Sequence, residues 1–394
     1  MTSVLSTPRP TSPWMTDDVV MVAELAREYF AHHVTPAAEQ SVKDGRPDPE
    51  LYRQAGAMGL LCMSIPEQYG GGGGTFAHEA ALLTEQTRAG DTSLHLGVHS
   101  IIVPHYILAY GSEAQKQRYL PRLASGDWIG AIAMTEPGAG SDLQAMTTRA
   151  QPTDDGGYAI TGTKCFISNG LNADIVIVAA KTDPEARGAG ISLFIVDVTE
   201  RAAGTAPAGF SRGAALKKIG QKGQDTAELF FDDFHVPADA LLGTVNSGFS
   251  QLKTQLAAER VILGVSAVAA MERAVELTVD YVKQRKVFNV PLLTQQNTRF
   301  ELAECATVAR VSRIFIDECI TKLIGGELDA TTAAMAKYWL SDQQCAVIDR
   351  CLQLFGGYGY SLEYPIAQMY ADARIQKIYA GANEVMKELI ARTL

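Results

Sequence analysis

Ile175-Val176-Ile177-Val178-Ala179-Ala180 is an unbroken run of β-branched and small apolar residues, and Ile191-Ser192-Leu193-Phe194-Ile195-Val196 repeats its texture after a stretch rich in Asp, Pro and Gly. Short apolar runs bounded by turn residues read as strands. Ala227-Glu228-Leu229-Phe230-Phe231, closed by Asp232-Asp233, is a third. Spacing of this kind over residues 129–245 predicts a compact β-barrel or sandwich. On either side the period changes. Upstream, Val19-Val20-Met21-Val22-Ala23-Glu24-Leu25-Ala26 places apolar residues three and four apart, predicting a helical domain over 17–128 that Pro66 and the glycines at 70–74 interrupt. Downstream, residues 246–394 return to helical spacing. Residues 252–285 read as one helix of roughly 50 Å, and further long helices after it would complete a four-helix bundle. The fold class is therefore α+β and multidomain: α, then β, then α. Residues 1–13 are rich in Ser, Thr and Pro, so 1–16 is expected to be a flexible leader with too little Arg for a transit peptide.

Composition excludes several function classes. A chain of 394 residues, 47% hydrophobic and 20% charged, can bury a large core without disulfides. A net charge of -10 argues against nucleic acid as the main partner, and no apolar run approaches the roughly 18 residues of a membrane span. Six cysteines without a CxxC pair read as reduced thiols in a cytosolic setting.

Five motifs carry chemistry. Ala131-Ile132-Ala133-Met134-Thr135-Glu136-Pro137-Gly138-Ala139-Gly140-Ser141-Asp142 combines small residues, which let backbone N–H groups approach a ligand, with directional hydroxyls. Lys164-Cys165-Phe166-Ile167-Ser168-Asn169-Gly170 puts an aromatic beside a hydroxyl. Arg285-Lys286-Val287-Phe288 ends the long helix, and Gln353-Leu354-Phe355-Gly356-Gly357-Tyr358-Gly359-Tyr360 permits close backbone approach without being a dinucleotide fingerprint, since no strand precedes it. Ile378-Tyr379-Ala380-Gly381-Ala382-Asn383-Glu384 is the last.

Together, over nearly the whole chain, these motifs resemble the acyl-CoA dehydrogenase family, flavoenzymes that desaturate acyl thioesters. The branch it is most similar to is the long-chain and isovaleryl type. The resemblance implies FAD, with Met134 and Thr135 against the flavin ring, Ser141 near its pyrophosphate or the substrate, Phe166 flanking the ring and Ser168 near N5. It also implies that Arg285, Phe288, Gln353 and Gly357 meet the cofactor of a neighbouring subunit, hence a homotetramer or dimer. Ala382 and Glu384 fall on the cofactor side, and Tyr379 and Gly381 at the thioester pocket. An electron-transferring flavoprotein would take the electrons. Asn289 stands where the family commonly has glycine, and Ser168 where threonine is expected.

Many members place the proton-abstracting glutamate where Ala380 stands. Alanine cannot act as a base, although its backbone N–H can still hold the thioester oxygen. Glu259 is the replacement, a charged residue in the nearly apolar stretch Gln255-Leu256-Ala257-Ala258-Glu259-Arg260-Val261-Ile262-Leu263. The long-chain and isovaleryl branch carries its base at the matching position. Glu384 is the rival carboxylate, and Arg260 would steady the pocket or the CoA arm. His95 and His99, spaced i, i+4, lack a third metal ligand and are expected near the acyl pocket, with no metal. Asp225 reads as structural. The implied reaction is desaturation of an acyl-CoA to the trans-2-enoyl-CoA. The alternatives are an oxidase or carrier-protein-bound acyl dehydrogenase of the same fold, or a catalytically inactive acyl-CoA-binding protein.

Overall fold

The computed structural model describes residues 12–199 and 207–394. Six helices come first: α1 (Asp17–Tyr29), α2 (Thr35–Asp44), α3 (Glu50–Ala57), α4 (Phe76–Ala89), α5 (Val103–Tyr110) and α6 (Glu113–Ala124). Eight strands follow: β1 (Gly130–Ala133), β2 (Arg149–Pro152), β3 (Tyr158–Ser168), β4 (Ile175–Lys181), β5 (Ile191–Asp197), β6 (Phe210–Arg212), β7 (Thr226–Val236) and β8 (Leu241–Leu242). The chain then turns helical as α7 (Gly248–Gln284), and a hairpin of β9 (Lys286–Val287) and β10 (Val290–Pro291) leads to α8 (Gln296–Ile324), α9 (Ala330–Phe355), α10 (Pro365–Ala373) and α11 (Asn383–Ala391).

The eight strands form one sheet in the order β6-β7-β3-β2-β4-β5-β8, with β1 running parallel to β4. Its centre explains the apolar run that decided the fold. Ile175, Ile177 and Ala179 enter the core shared with the N-terminal helices, while Val176, Val178 and Ala180 enter a second core within the β domain. A strand buried on both faces has no reason to alternate polar and apolar residues.

In the C-terminal domain α7, α8 and α9 are the long helices, with short α10 and α11 packed on α9. α7 spans 37 residues, roughly 55 Å, starting slightly before the expected position. It passes so close to α8 and α9 at Gly264 that a Cβ there would lie 2.6 Å from Ile316 Cδ1 and 2.9 Å from Leu340 Cδ1. α4 packs on α7 as well, joining the two helical domains.

The leader expectation needs narrowing. Residues 1–11 lie outside the described residues, but Ser12 and Trp14 are not loose. Ser12 Oγ donates to Asp317 Oδ2 and Trp14 Nε1 to Asp317 Oδ1, both at 2.9 Å, and the indole is buried against α7 and α8. An indole that finds both an apolar bed and an acceptor stays put.

Candidate active site

On the β side, the site is built on a break in a ladder. β3 pairs with β7 through Lys164↔Leu229 and resumes at Ile167↔Ala227, so the register shifts across Cys165-Phe166. Phe166 takes a left-handed φ of 58° and leaves 68% of its surface exposed, and Asn169 follows with φ 61°. Bulges of this kind re-aim a side chain, and strain held at a bulge marks a working site. Cys165 N–H donates to Thr135 O at 2.9 Å, which brings Met134 and Thr135 alongside, both half-buried. Beneath them lies a pair that sequence reasoning passed over. Lys164 Nζ, fully buried, donates to Glu136 Oε1 at 2.8 Å and to Met134 O at 3.1 Å. Burial alone would raise the Glu136 carboxyl, but Lys164 together with Thr147 and Thr148 holds it down to about 2. The signal was available, because a lysine inside a strand of apolar neighbours requires a buried anion.

Glu259, on α7, lines a cavity of about 500 Å³ with Phe76, Ile101, Ile102, His105 and Leu328. It is 6% exposed and, among the described residues, accepts a single hydrogen bond, from Tyr106 Oη at 3.0 Å. Burial pushes its carboxyl up to about 7, against the opposing pull of Tyr106 and Arg260. Arg260 does not join it in the cavity. Its Nη1 reaches Ala330 O at 3.5 Å and its Nε is buried without a partner among the described residues, so the expected pocket role goes unsupported.

The loop at 378–384 is clamped from behind by α9. Ala380 and Gly381 adopt successive left-handed conformations, φ 50° and 93°. Lys337 Nζ, on a residue 1% exposed, donates to Gly381 O at 2.6 Å and to Asn383 Oδ1 at 2.8 Å. Asn383 in turn donates to Tyr338 O and Asp342 Oδ1. Burial, and then Arg260 nearby, lowers the Lys337 ammonium to about 8. Neither Lys337 nor Tyr106 was singled out from sequence. Within the loop, Tyr379 borders a second cavity of about 400 Å³ together with His95, Gln221 and Ile262. Ile262 lines both cavities, so the Glu259 cavity and the Tyr379 cavity adjoin along α7.

The remaining expectations divide. His95 lines the second cavity, and burial lowers its imidazole to about 4. His99 is instead a neutral strut: Nε2 bonds Leu123 O and Nδ1 accepts from Gly130 N–H. Ser141 is exposed, Ser168 half-buried, and Ala382 caps α11 without a side-chain bond. Glu384 is exposed at the first turn of α11, where a carboxylate suits the helix dipole but not proton abstraction from a buried carbon. Asp225, fully buried, accepts from Leu171 N–H and Asn172 N–H, as a structural residue should. Arg285, Phe288, Gln353 and Gly357 form a separate surface at the far end of α7, roughly 40 Å along the axis from Glu259. There the Arg285 guanidinium lies 5.8 Å from the centre of the Tyr358 ring and Phe288 is 92% exposed. Asn289 proves well suited to its turn, since Phe288 and Asn289 both need positive φ and Asn tolerates it best after glycine.

Comparison with known proteins agrees with this geometry. The N-terminal, middle and C-terminal domains of acyl-CoA dehydrogenases match residues 16–127, 131–234 and 246–394. The chain belongs to the acyl-CoA dehydrogenase family. The long-chain specific acyl-CoA dehydrogenase of Sus scrofa mitochondria is 45% identical over 373 residues, covering 94% of this chain and 85% of that protein. The crystal structure of an acyl-CoA dehydrogenase from Geobacillus kaustophilus superposes with a TM-score of 0.93 at 39% identity, covering 97% of this chain and 99% of that one. A glutaryl-CoA dehydrogenase from Mycobacterium smegmatis, in complex with FADH2, aligns at 26% identity and TM-score 0.89 over 98% of this chain and 96% of its own. This acyl-CoA dehydrogenase is accordingly a flavin-dependent oxidoreductase. Its residues fit FAD: an exposed, strained Phe166 beside Met134 and Thr135 offers a flat apolar face, and a Cβ at Gly138 or Gly140 would meet nothing within 4 Å, leaving room for a ligand. Among the described residues no helix is long and apolar enough to cross a membrane.

Proposed function

We propose that the protein removes the α proton of an acyl-CoA through Glu259 and yields the trans-2-enoyl-CoA. The observation that carries this is a fully desolvated carboxylate lining a cavity, without an ion pair among the described residues and raised to about 7, the range in which a base both ionises and keeps its proton affinity. The flavin, when bound, supplies the acceptor for the β hydride. Met134, Thr135, Phe166, Ser141 and Ser168 hold it on this chain's β face, and Arg285, Phe288, Gln353 and Gly357 attend a neighbouring protomer's cofactor. The roughly 40 Å between that surface and Glu259 supports a homotetramer or dimer. Ala380 N–H takes the thioester oxygen, its direction fixed by the Lys337 clamp. An electron-transferring flavoprotein accepts the electrons, in a cytosolic setting consistent with six free thiols.

Glu259→Gln tests the reading. It should retain FAD and bind acyl-CoA, yet lose anaerobic flavin bleaching by roughly 10²–10⁴-fold. Near-normal bleaching would sink the assignment. Rapid reoxidation of the bleached wild-type enzyme by oxygen would instead mark an oxidase.

A further inference from the structure

The cavity beside Tyr379 has an unexpected lining for an alkyl chain. Leu83, Leu94, Leu96 and Ile262 supply the apolar wall that an acyl tail requires. Gln86, Gln344 and Gln376 share it, and all are more than nine-tenths buried. Gln86 is occupied, its Nε2 donating to Asp91 Oδ2 at 2.8 Å and Leu94 O at 2.7 Å. Gln344 and Gln376 are not. Each has an Oε1 buried with no hydrogen-bond partner among the described residues. Gln344 lies on the face of α9 that carries Lys337 and Ser341, directly behind the loop at 378–384.

In the reading above, the tail of a bound thioester extends into this space. Tyr379 adjoins Ala380, whose N–H faces the thioester oxygen in the reading above, and Gln221 and Gln224 of the β domain close the same cavity. Glu259 lines the adjoining cavity, which meets this one at Ile262, one turn along α7.

Charge then selects the tail's chemistry. Arg88 and Arg273 on the wall share a single carboxylate, Glu276, at 2.8 and 3.6 Å, and with Asp91 and Asp372 on the same wall the acids outnumber the cations. A carboxylate would meet those acids and leave both amide oxygens without a donor. A hydroxyl donates to an amide oxygen and accepts from an amide N–H, so it satisfies both kinds of atom. We propose that this cavity receives an acyl tail bearing a hydroxyl group, recognised by the buried amides of Gln344 and Gln376.

The inference rests on the acyl-CoA dehydrogenase reading, and its test separates the two. The holoenzyme is given saturated acyl-CoAs and the same chains with one hydroxyl at the terminal or penultimate carbon. Anaerobic bleaching gives kcat/KM, and calorimetric titration with the matching trans-2-enoyl-CoAs gives affinity without turnover. At least one hydroxylated chain should exceed its plain counterpart by about ten-fold or more in both measures. Gln344→Leu with Gln376→Leu should reverse that preference, with flavin absorbance and thermal midpoint reporting that the variant is folded. If it is not, the wild-type pairing alone decides. Plain chains preferred throughout by an active wild type would overturn this proposal and leave the dehydrogenase reading standing. Bleaching by no acyl-CoA would overturn both.

Discussion

Glu136 and Glu259 are the same residue type at nearly the same burial, 5% and 6% exposed, yet their carboxyls are driven in opposite directions. Glu136 sits among donors: Lys164 Nζ at 2.8 Å, the amides of Thr147 and Thr148 at 2.6 and 3.0 Å, and the Thr147 hydroxyl at 2.9 Å. Among the described residues, Glu259 has only the Tyr106 hydroxyl. Burial penalises both charges, Glu259 more heavily because it lies deeper, and the number of groups that stabilise the anion widens the difference. The carboxylate saturated with donors is fixed and serves the scaffold beneath Met134 and Thr135. The undersupplied one keeps an affinity for protons that chemistry can use.

The largest expected effect on that comparison comes from removing the cation. Lys164→Met leaves Glu136 buried without its counter-charge and Met134 O without a donor. Breaking a buried pair from one side costs about 3–5 kcal/mol, which would show as a lowered thermal midpoint and a reduced flavin-to-protein absorbance ratio. Adding Glu136→Gln should restore part of the loss, because the stranded charge goes with it. An unchanged midpoint in Lys164→Met would mean that the threonine donors alone hold Glu136.

Glu259→Gln probes the other side through stability. The folded carboxyl titrates above an ordinary one, so between pH about 4.3 and about 7 the native state binds more protons than the unfolded chain. Stability therefore falls as pH rises through that window and stays lowered above it. Glutamine removes the penalty. The variant should match the wild type near pH 4 and exceed it above pH 7 by about 4 kcal/mol, read from denaturation midpoints across pH. Glu136 runs the other way, its contribution present above pH about 4.3 and lost as pH falls toward about 2. A stability gain for Glu259→Gln at low pH instead of high would contradict the burial argument.

Much of this site was legible in the sequence, and what was not has a common physical origin. The order α, β, α follows from local period, and Glu259 stood out because a charge in an apolar helix requires a reason. The fully apolar β4 announced a strand but not its two separate cores, since the partners on each face are distant in sequence. The Lys164–Glu136 pair is separated along the chain by a turn and a strand, and Lys337 reaches Gly381 and Asn383 from another helix. Tyr106 meets Glu259 across two domains. Periodicity reports which face a side chain takes; it says nothing of which distant partner waits there. His95 and His99, alike in sequence, part for the same reason, one on a cavity wall and the other between a carbonyl and an amide.

The smallest effect tests the single donor that Glu259 does possess. Tyr106 Oη stabilises the carboxylate, opposing burial. Tyr106→Phe removes that bond and little else, so the carboxyl should rise further and the pH–rate profile for anaerobic flavin reduction should move to higher pH by roughly one unit or less. The plateau rate at high pH, where Glu259 is ionised in either protein, should change by less than about ten-fold, since a shift of one unit or less corresponds to at most about 1.4 kcal/mol. The direction carries the information. A midpoint displaced downward, or one that persists in Glu259→Gln, would assign the titration to some other group. A shift upward that vanishes with Glu259 ties the proton to the carboxylate whose poverty of donors distinguishes it from Glu136.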